Sequence, residues 1–149
     1  MGLQKLSLKG RALRLLAARE HSRAELEKKL AAHEESPGEL ARALDELQAK
    51  GFISEQRVVD SLIHRRAARL GTGRLKQELQ ARGISAEAMA EAVQALRSTE
   101  VDRAREVWRK KFGEPATDAA GRAKQMRFLA SRGFGADAIR RVVCGSDDD

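Results

Sequence analysis

The chain has 149 residues and a formal net charge of +7, and 42% of its residues are hydrophobic while only 3% are aromatic. This length allows one ordinary domain or a series of small repeats, and it excludes two large enzyme-like domains. The basic balance favours polyanionic partners, and no apolar run is long enough to span a membrane. The single cysteine, Cys144, cannot form an internal disulfide, so we expect a cytoplasmic protein.

The composition favours helices, because Ala, Leu, Arg, Glu, Gln and Lys lose little side-chain freedom in them. Three amphipathic helices are predicted first. The capping box Ser22-Arg23-Ala24-Glu25 opens the second helix. Ser36-Pro37-Gly38-Glu39, with Ser36 as the N-cap, opens the third, which ends at Gly51. The apolar residues that mark these helices are Leu6, Leu8, Leu13, Leu16, Leu26, Leu30, Leu40, Leu44 and Leu47.

The same order of helices recurs twice, at an interval of about 50 residues. Ser54 and Ser85 are predicted helix caps in the second pass, and Gly73 opens the short helix between them. The helix stop Arg82-Gly83-Ile84 returns as Arg132-Gly133-Phe134. The apolar positions of the six further helices are Val58, Val59, Leu62 and Ile63, then Leu75 and Leu79, then Met89, Ala92, Val93 and Leu96, then Val101, Ala104, Val107, Trp108 and Phe112, then Met126 and Leu129, and finally Ile139, Val142 and Val143.

We therefore predict an all-α protein built from three tandem three-helix repeats that form an elongated, curved body. The expected repeats cover residues 1–50, 51–98 and 99–145, and residues 146–149 are expected to form a disordered acidic tail. A curved row of helices offers a long concave surface, which suits binding along a polymer better than enclosing a small molecule.

The middle of the chain carries the most concentrated positive charge. Gly71-Thr72-Gly73 interrupts a helical pattern there, and from Arg57 to Arg82 seven basic residues stand against two acidic ones. The candidate binding residues of this segment are Arg65, Arg66, Arg69, Arg74, Lys76 and Arg82. A second candidate group, in the last repeat, contains Lys124, Arg127 and Arg132 together with Lys110, Lys111 and Arg122.

The basic segments and the aromatic residues can also be explained without a binding role. A charge run taken alone is more often a solvated helix face than a binding site, but clustering across a glycine break on a chain of net charge +7 favours polyanion binding. Trp108, Phe112, Phe128 and Phe134 stand at helical apolar positions, so we expect them in the core rather than as platforms for stacked bases.

No enzyme signature is found. Gly71-Thr72-Gly73 is followed by Arg74 and has no preceding strand, so it is not a phosphate-binding loop. A metal-dependent nuclease would need clustered acids, and only Asp60 and Glu78 lie near the basic segment. Ser22 and Ser54 are explained as helix caps, so no nucleophile is assigned. The histidines, expected at the surface or at caps because they lack metal-ligand spacing, are His21, His33 and His64. We predict a non-enzymatic protein with no catalytic residue, metal or cofactor.

Several stretches together resemble the bacterial RecX family, and the resemblance covers nearly the whole chain in order. They are the opening 11–22, the segment from Gly51-Phe52-Ile53 to Arg82-Gly83-Ile84, and the later 124–134. The resemblance implies a non-enzymatic regulator that lies in the groove of the RecA filament on single-stranded DNA. It would restrain ATP hydrolysis and strand exchange by RecA, and so modulate DNA repair, recombination and the SOS response.

The chain departs from the family pattern in two places, since Ser54-Glu55 and Val58-Val59 replace the usual acidic pair and an aromatic residue. Both replacements keep capping and core roles. The implied partners are the RecA filament and single-stranded DNA, bound by a monomer. Two alternatives stay open: a sequence-independent nucleic-acid-binding protein without a RecA partner, and a helical scaffold for an acidic protein.

Overall fold

The chain is helical throughout the part that a computed structural model describes, which is residues 6–145. This range contains eight α-helices, one short 3-10 turn and no strand. The helices are α1 (Leu8–Ala18), α2 (Arg23–Leu30), α3 (Glu39–Ala49), α4 (Glu55–Arg66), α5 (Thr72–Ala81), α6 (Ala86–Lys111), α7 (Ala119–Ser131) and α8 (Ala136–Val143). The all-α prediction is confirmed, and the expected tail at 146–149 lies outside the described residues.

The helices belong to two units. Within the described residues, unit 1 contains residues 6–61 and the segment Ala81–Ser85, and unit 2 contains Leu62–Gln80 and residues 86–145. Helix α4 therefore begins in unit 1 and ends in unit 2.

Unit 1 is built around leucines from its first three helices. They recur at three- and four-residue intervals, which places them on one face of each helix. Leu26 and Leu44 are completely buried, and Ile53 closes the same cluster after α3. The other buried members are Leu8, Ala12, Leu30, Leu40 and Leu47.

The predicted capping box at the start of α2 is confirmed. The Ser22 hydroxyl oxygen accepts a hydrogen bond from the backbone N–H of Glu25, and a carboxylate oxygen of Glu25 accepts one from the backbone N–H of Ser22, both at 3.1 Å. Two backbone donors at the helix end are thereby satisfied.

The predicted start of α3 is wrong by two residues. Gly38, not Ser36, is the N-cap, and its φ of +84° is a left-handed conformation that suits glycine. Pro37 therefore precedes the helix. Glu39 still caps the turn, because its carboxylate accepts the backbone N–H groups of Glu35 and Ser36 at 3.2 Å each.

Helix α6 joins two helices that the sequence pattern separates. It runs for 26 residues from Ala86 to Lys111, so the expected repeat boundary between residues 98 and 99 falls inside it. The segment between Leu96 and Val101 contains no Gly or Pro, and nothing there obliges the helix to end.

Apolar clusters are buried within unit 2. One joins Leu70, Leu75 and Leu96. Another contains Ala104, Leu129, Phe134, Ala138, Ile139, Val142 and Val143, with Trp108 and Phe128 packed against it. The indole N–H of Trp108 donates to Gln125 at 2.9 Å, and Phe112 meets Phe128 edge to face with ring centroids 5.5 Å apart. Phe134 is therefore a core residue as expected, Trp108 and Phe128 are partly buried against the same core, and Phe112 is half-buried and contacts Phe128.

His21 was expected at the surface or at a cap, and the surface alternative is wrong, since only 2% of it is exposed. Its ring does bond the carbonyl of Arg19, the C-cap residue of α1. Its Nδ1 lies 3.0 Å from the carbonyl oxygen of Arg19, and its Nε2 lies 3.2 Å from the Lys29 Nζ. The ring therefore donates to the carbonyl through Nδ1–H and accepts from the ammonium through Nε2. Burial lowers the pKa of His21, the hydrogen bond to Arg19 opposes this, and the charges of Arg19 and Lys29 lower it further.

This environment predicts that unit 1 loses stability in mild acid. A histidine whose folded pKa is lowered binds its proton more readily in the unfolded chain, so stability is full above about pH 6.5 and falls as the pH drops below it. Urea unfolding of the parent should show this fall between about pH 7 and pH 5, and His21→Gln should remove it. The exposed His33, changed to Gln, is the matched control. An unaltered pH dependence in His21→Gln would contradict the assignment.

Within residues 6–145, no helix has both the length and the apolar character needed to cross a bilayer.

Candidate nucleic-acid interface

Of the twelve basic residues singled out in the sequence, Lys110 and Lys111 end α6 and Arg122 lies on α7. Of the other nine, Arg82 follows α5 and belongs to unit 1, whereas eight belong to unit 2. Those eight lie at the end of α4 and just beyond it, on α5, and on α7 and just beyond it. They are Arg65, Arg66, Arg69, Arg74, Lys76, Lys124, Arg127 and Arg132.

The glycine break between α4 and α5 is held against the helix stop that follows α7. The backbone N–H of Gly71 donates to the carbonyl oxygen of Arg132 at 2.8 Å, and that of Gly73 donates to the carbonyl of Gly133 at 3.1 Å. Both segments stand out in the sequence, but no local pattern there indicates that they pair. Their contact joins the first candidate group, around Arg69, to the second.

This contact needs two of its glycines. A Cβ at Gly71 would overlap the carbonyl carbon of Gly133 and the backbone nitrogen of Phe134. A Cβ at Gly133, where φ is +90°, would lie 2.6 Å from the backbone nitrogen of Arg74. The two backbones can therefore approach only without side chains at these positions.

The contact forms a small pocket lined by arginines. Arg66, Arg69 and Arg132, with Leu70, surround a cavity of about 70 Å³, which we call the arginine pocket. Arg66 and Arg69 come from the first candidate group and Arg132 from the second. The fold thus brings together residues that are more than 60 positions apart in the chain.

Two of the three arginines are oriented by neighbours. The Nε of Arg66 donates to a Glu78 carboxylate oxygen at 2.8 Å, with 42% of the Arg66 side chain exposed. The guanidinium of Arg132 lies 5.0 Å from the centroid of the Phe128 ring, which is within cation–π range. Both contacts leave other N–H donors of the guanidinium groups unused.

The positive charge of unit 2 is only partly neutralised. Within residues 6–145, no carboxylate forms an ion pair with Arg69, Arg74, Lys76, Lys124 or Arg127. All five are exposed. Unpaired cations on a folded surface attract polyanions and release counterions when they bind them.

Two residues of α6 support the loops beneath the arginine pocket, and the sequence reading missed both. Arg103 donates to the carbonyl oxygens of Ala67 at 3.1 Å and Leu96 at 2.8 Å, and also to that of Leu70. Another N–H of its guanidinium reaches the Thr72 hydroxyl at 3.2 Å. Arg103 therefore satisfies carbonyls left free where α4 ends.

Glu100, one helical turn before Arg103, completes this support. One of its carboxylate oxygens accepts the backbone N–H of Thr72 at 3.1 Å and that of Gly135 at 3.2 Å. Burial lowers the pKa of Arg103, and the charge of Glu100 opposes that shift. The three-residue spacing of Glu100 and Arg103 indicates that they share one face of α6. It does not indicate which loops they bind.

Unit 1 contains a related contact between a helix start and a helix stop. The Ser22 hydroxyl at the start of α2 donates to the carbonyl oxygen of Arg82, and a Cβ at Gly83 would lie 2.5 Å from the Cβ of Ala24. Arg82-Gly83-Ile84 thus contacts the start of α2 much as Arg132-Gly133-Phe134 contacts the start of α5. The sequence pattern that ends a helix at both places therefore also makes the same kind of contact at both places.

A metal ion bound near these residues would need several ligand side chains close together. Among residues 6–145, no three side chains from His, Cys, Asp and Glu cluster in a way that could hold a metal ion. The same part of the chain contains no buried side-chain nitrogen or oxygen without a hydrogen-bond partner. The arrangement is suited to binding an anion rather than to activating a nucleophile.

Comparison with known proteins identifies three consecutive matches to the three-helix domains of RecX. Residues 9–47 match the first domain, 54–93 the second and 98–143 the third. The regulatory protein RecX of Leptothrix cholodnii is 56% identical over 144 residues, covering 97% of this chain and 92% of that protein. The protein of the same name from Herminiimonas arsenicoxydans is 48% identical over 149 residues, covering 100% and 99%.

The fold is also similar to that of solved RecX structures. The crystal structure of RecX from Lactobacillus salivarius aligns with a TM-score of 0.77 at 18% identity, covering 94% of each chain. A second crystal structure of a regulatory protein RecX aligns with a TM-score of 0.72 at 17% identity, covering 93% of this chain and 72% of that one. At such low identity the likeness concerns the fold alone.

Proposed function

Since the chain belongs to the RecX family, we propose that it is a regulatory protein that binds the RecA filament on single-stranded DNA. In this role it inhibits ATP hydrolysis and strand exchange by RecA, and so modulates DNA repair and recombination. Support comes from the matches to all three RecX domains and from relatives that are named regulatory proteins. The choice of the RecA filament as the partner rests on the resemblance of the sequence to this family.

The observation that carries the proposal on the structural side is the arginine pocket and the unpaired cations on α5 and α7. Arg66, Arg69 and Arg132 line one cavity, and Arg74 and Lys76 are exposed without an ion pair in the described chain. The N–H donors of a guanidinium group match the oxygens of a phosphate in pairs. Contacts to phosphates alone would give binding that does not depend on base sequence.

The remaining properties follow from this proposal. The protein acts as a monomer in the cytoplasm, and it regulates RecA by binding rather than by catalysing a reaction. It needs no metal or cofactor for that purpose.

A second candidate function is sequence-independent binding of nucleic acid without RecA. The unpaired cations favour it as well, because they require only a polyanion. The third possibility from the sequence, a scaffold for an acidic protein, is supported by the same charges and by nothing further.

The test is a titration of the protein against RecA ATPase activity on single-stranded DNA, beside a binding assay on the same DNA alone. We expect inhibition at protein concentrations below those that saturate the free DNA, since filament contacts would add affinity. Affinity for DNA should fall steeply with salt, with log K declining linearly against log salt. Inhibition that merely follows occupancy of the free DNA would favour the second candidate, and salt-independent binding would contradict both.

A further inference from the structure

The arginine pocket has the size and chemistry of a site for one tetrahedral oxyanion. Its volume of about 70 Å³ is several times the roughly 10–15 Å³ that a cavity needs to hold one water molecule, so a small anion fits. Three arginines line it, and the remaining lining residue is Leu70. Guanidinium groups present planar forks of N–H donors that match phosphate oxygens in pairs.

The charges at the pocket favour an anion. Three arginines face one acid, Glu78, which is bound to the Nε of Arg66. A single bound anion would therefore meet a net positive environment. Glu78 also fixes the Arg66 side chain, and the Phe128 ring lies beneath Arg132, so two of the three donors are ordered before a ligand arrives. Such preorganisation reduces the entropy lost on binding.

The backbone beneath the pocket is equally fixed. The hydrogen bonds from Gly71 and Gly73 to the 132–133 backbone hold the two sides of the pocket together. Glu100 and Arg103 bind the same loops from α6. Arg69 and Arg132 therefore cannot separate without breaking several backbone contacts, which distinguishes the pocket from a group of mobile surface cations.

We propose that Arg66, Arg69 and Arg132 together hold a single phosphate group, and that this group is one backbone phosphate of single-stranded DNA. The second part rests on the proposed function, while the first stands on the pocket alone. The pocket gives the complex one fixed phosphate contact, whereas Arg74, Lys76, Lys124 and Arg127 are left to make separate contacts.

The test is a salt series for binding of the full chain to a fluorescent oligothymidylate. The variants are Arg69→Gln, Arg132→Gln and the double variant, with Arg97→Gln as the matched control, because Arg97 is an exposed arginine of α6 outside the pocket. Each phosphate contact on a single strand contributes about 0.7 to the slope of log K against log salt. One shared phosphate predicts that the double variant loses about 0.7 in slope, and that Arg97→Gln loses none. A loss of about 1.4 in the double variant would mean two separate phosphates and would overturn the proposal, as would no loss at all.

A second measurement identifies the source of the phosphate. Inorganic phosphate should shift the NMR signals of the Arg69 and Arg132 guanidinium groups but not those of Arg97, and oligothymidylate should displace it. Displacement by polyglutamate but not by oligothymidylate would assign the pocket to an acidic protein surface. Phosphate that DNA cannot displace would assign it to the free ion. Either result overturns the DNA assignment. RecA is absent from both measurements, so a failure to inhibit RecA would leave them unaffected.

Discussion

Replacing Gly133 with alanine is expected to destabilise unit 2 by about 2–5 kcal/mol. A left-handed backbone costs an alanine about 1–2 kcal/mol, and forcing a methyl group into a filled space adds about 1–3 kcal/mol. Gly133 has a φ of +90°, and its added Cβ would lie 2.6 Å from the Arg74 backbone nitrogen. Chemical unfolding followed by circular dichroism would measure the loss.

Gly113→Ala is the matched control in the same unit. Gly113 also has a positive φ, +74°, but its added Cβ would meet its nearest neighbour, the Arg109 carbonyl oxygen, at an ordinary 3.4 Å. We expect a loss of only about 1–2 kcal/mol there. Equal losses in the two variants would mean that the close contact with Arg74 has little importance. The Gly133 variant should also bind phosphate less tightly at temperatures where it remains folded.

The largest expected loss of stability comes from changing Leu75 and Leu79 together to alanine. Both side chains are completely buried, and a buried leucine changed to alanine costs roughly 2–5 kcal/mol. The sum approaches the whole stability of a small domain, about 5–15 kcal/mol. The double variant should therefore lose much of its helical signal at 25 °C.

The contrasting variant removes exposed positive charges from α5 and from the loop before it. Arg69, Arg74 and Lys76 are exposed and have no ion pair within residues 6–145, so changing all three to glutamine should cost within about 0.5 kcal/mol per site. Arg66 is left in place because it pairs with Glu78. This triple variant should keep its melting curve but bind DNA weakly and inhibit RecA poorly. Unchanged inhibition would mean that these charges form only a solvated surface, and the cations of α7 would then be tested next.

Local patterns in the sequence were enough to predict the helical class, the buried leucines and the capping box at Ser22. These features depend on residues three or four positions apart, which a helix places side by side. The start of α3 was misplaced because a Ser followed by a Pro is a common helix start. In the structure Gly38 has a left-handed conformation, so the helix begins only after it. His21 was misplaced because its burial depends on tertiary packing that its neighbours in sequence do not reveal.

The arginine pocket could be predicted only in part. The charges were visible, but they were read as two groups because nothing local connects Gly71 with Arg132. Arg103 and Glu100 were overlooked for the same reason, since their partners are backbone groups about 30 residues away along the chain. Backbone atoms carry no sequence signature, and a side chain that binds them resembles any other charged residue on a helix.

The continuity of α6 changes what an insertion or deletion would do. Where two helices are joined by a loop, an added residue is absorbed locally. Within one helix, an added residue rotates everything beyond it by about 100°. An insertion after Leu96 would turn Glu100 and Arg103 away from the loops that they bind, although no residue had been replaced. Here the number of residues between Leu96 and Ala104 is itself part of the information that the gene must preserve.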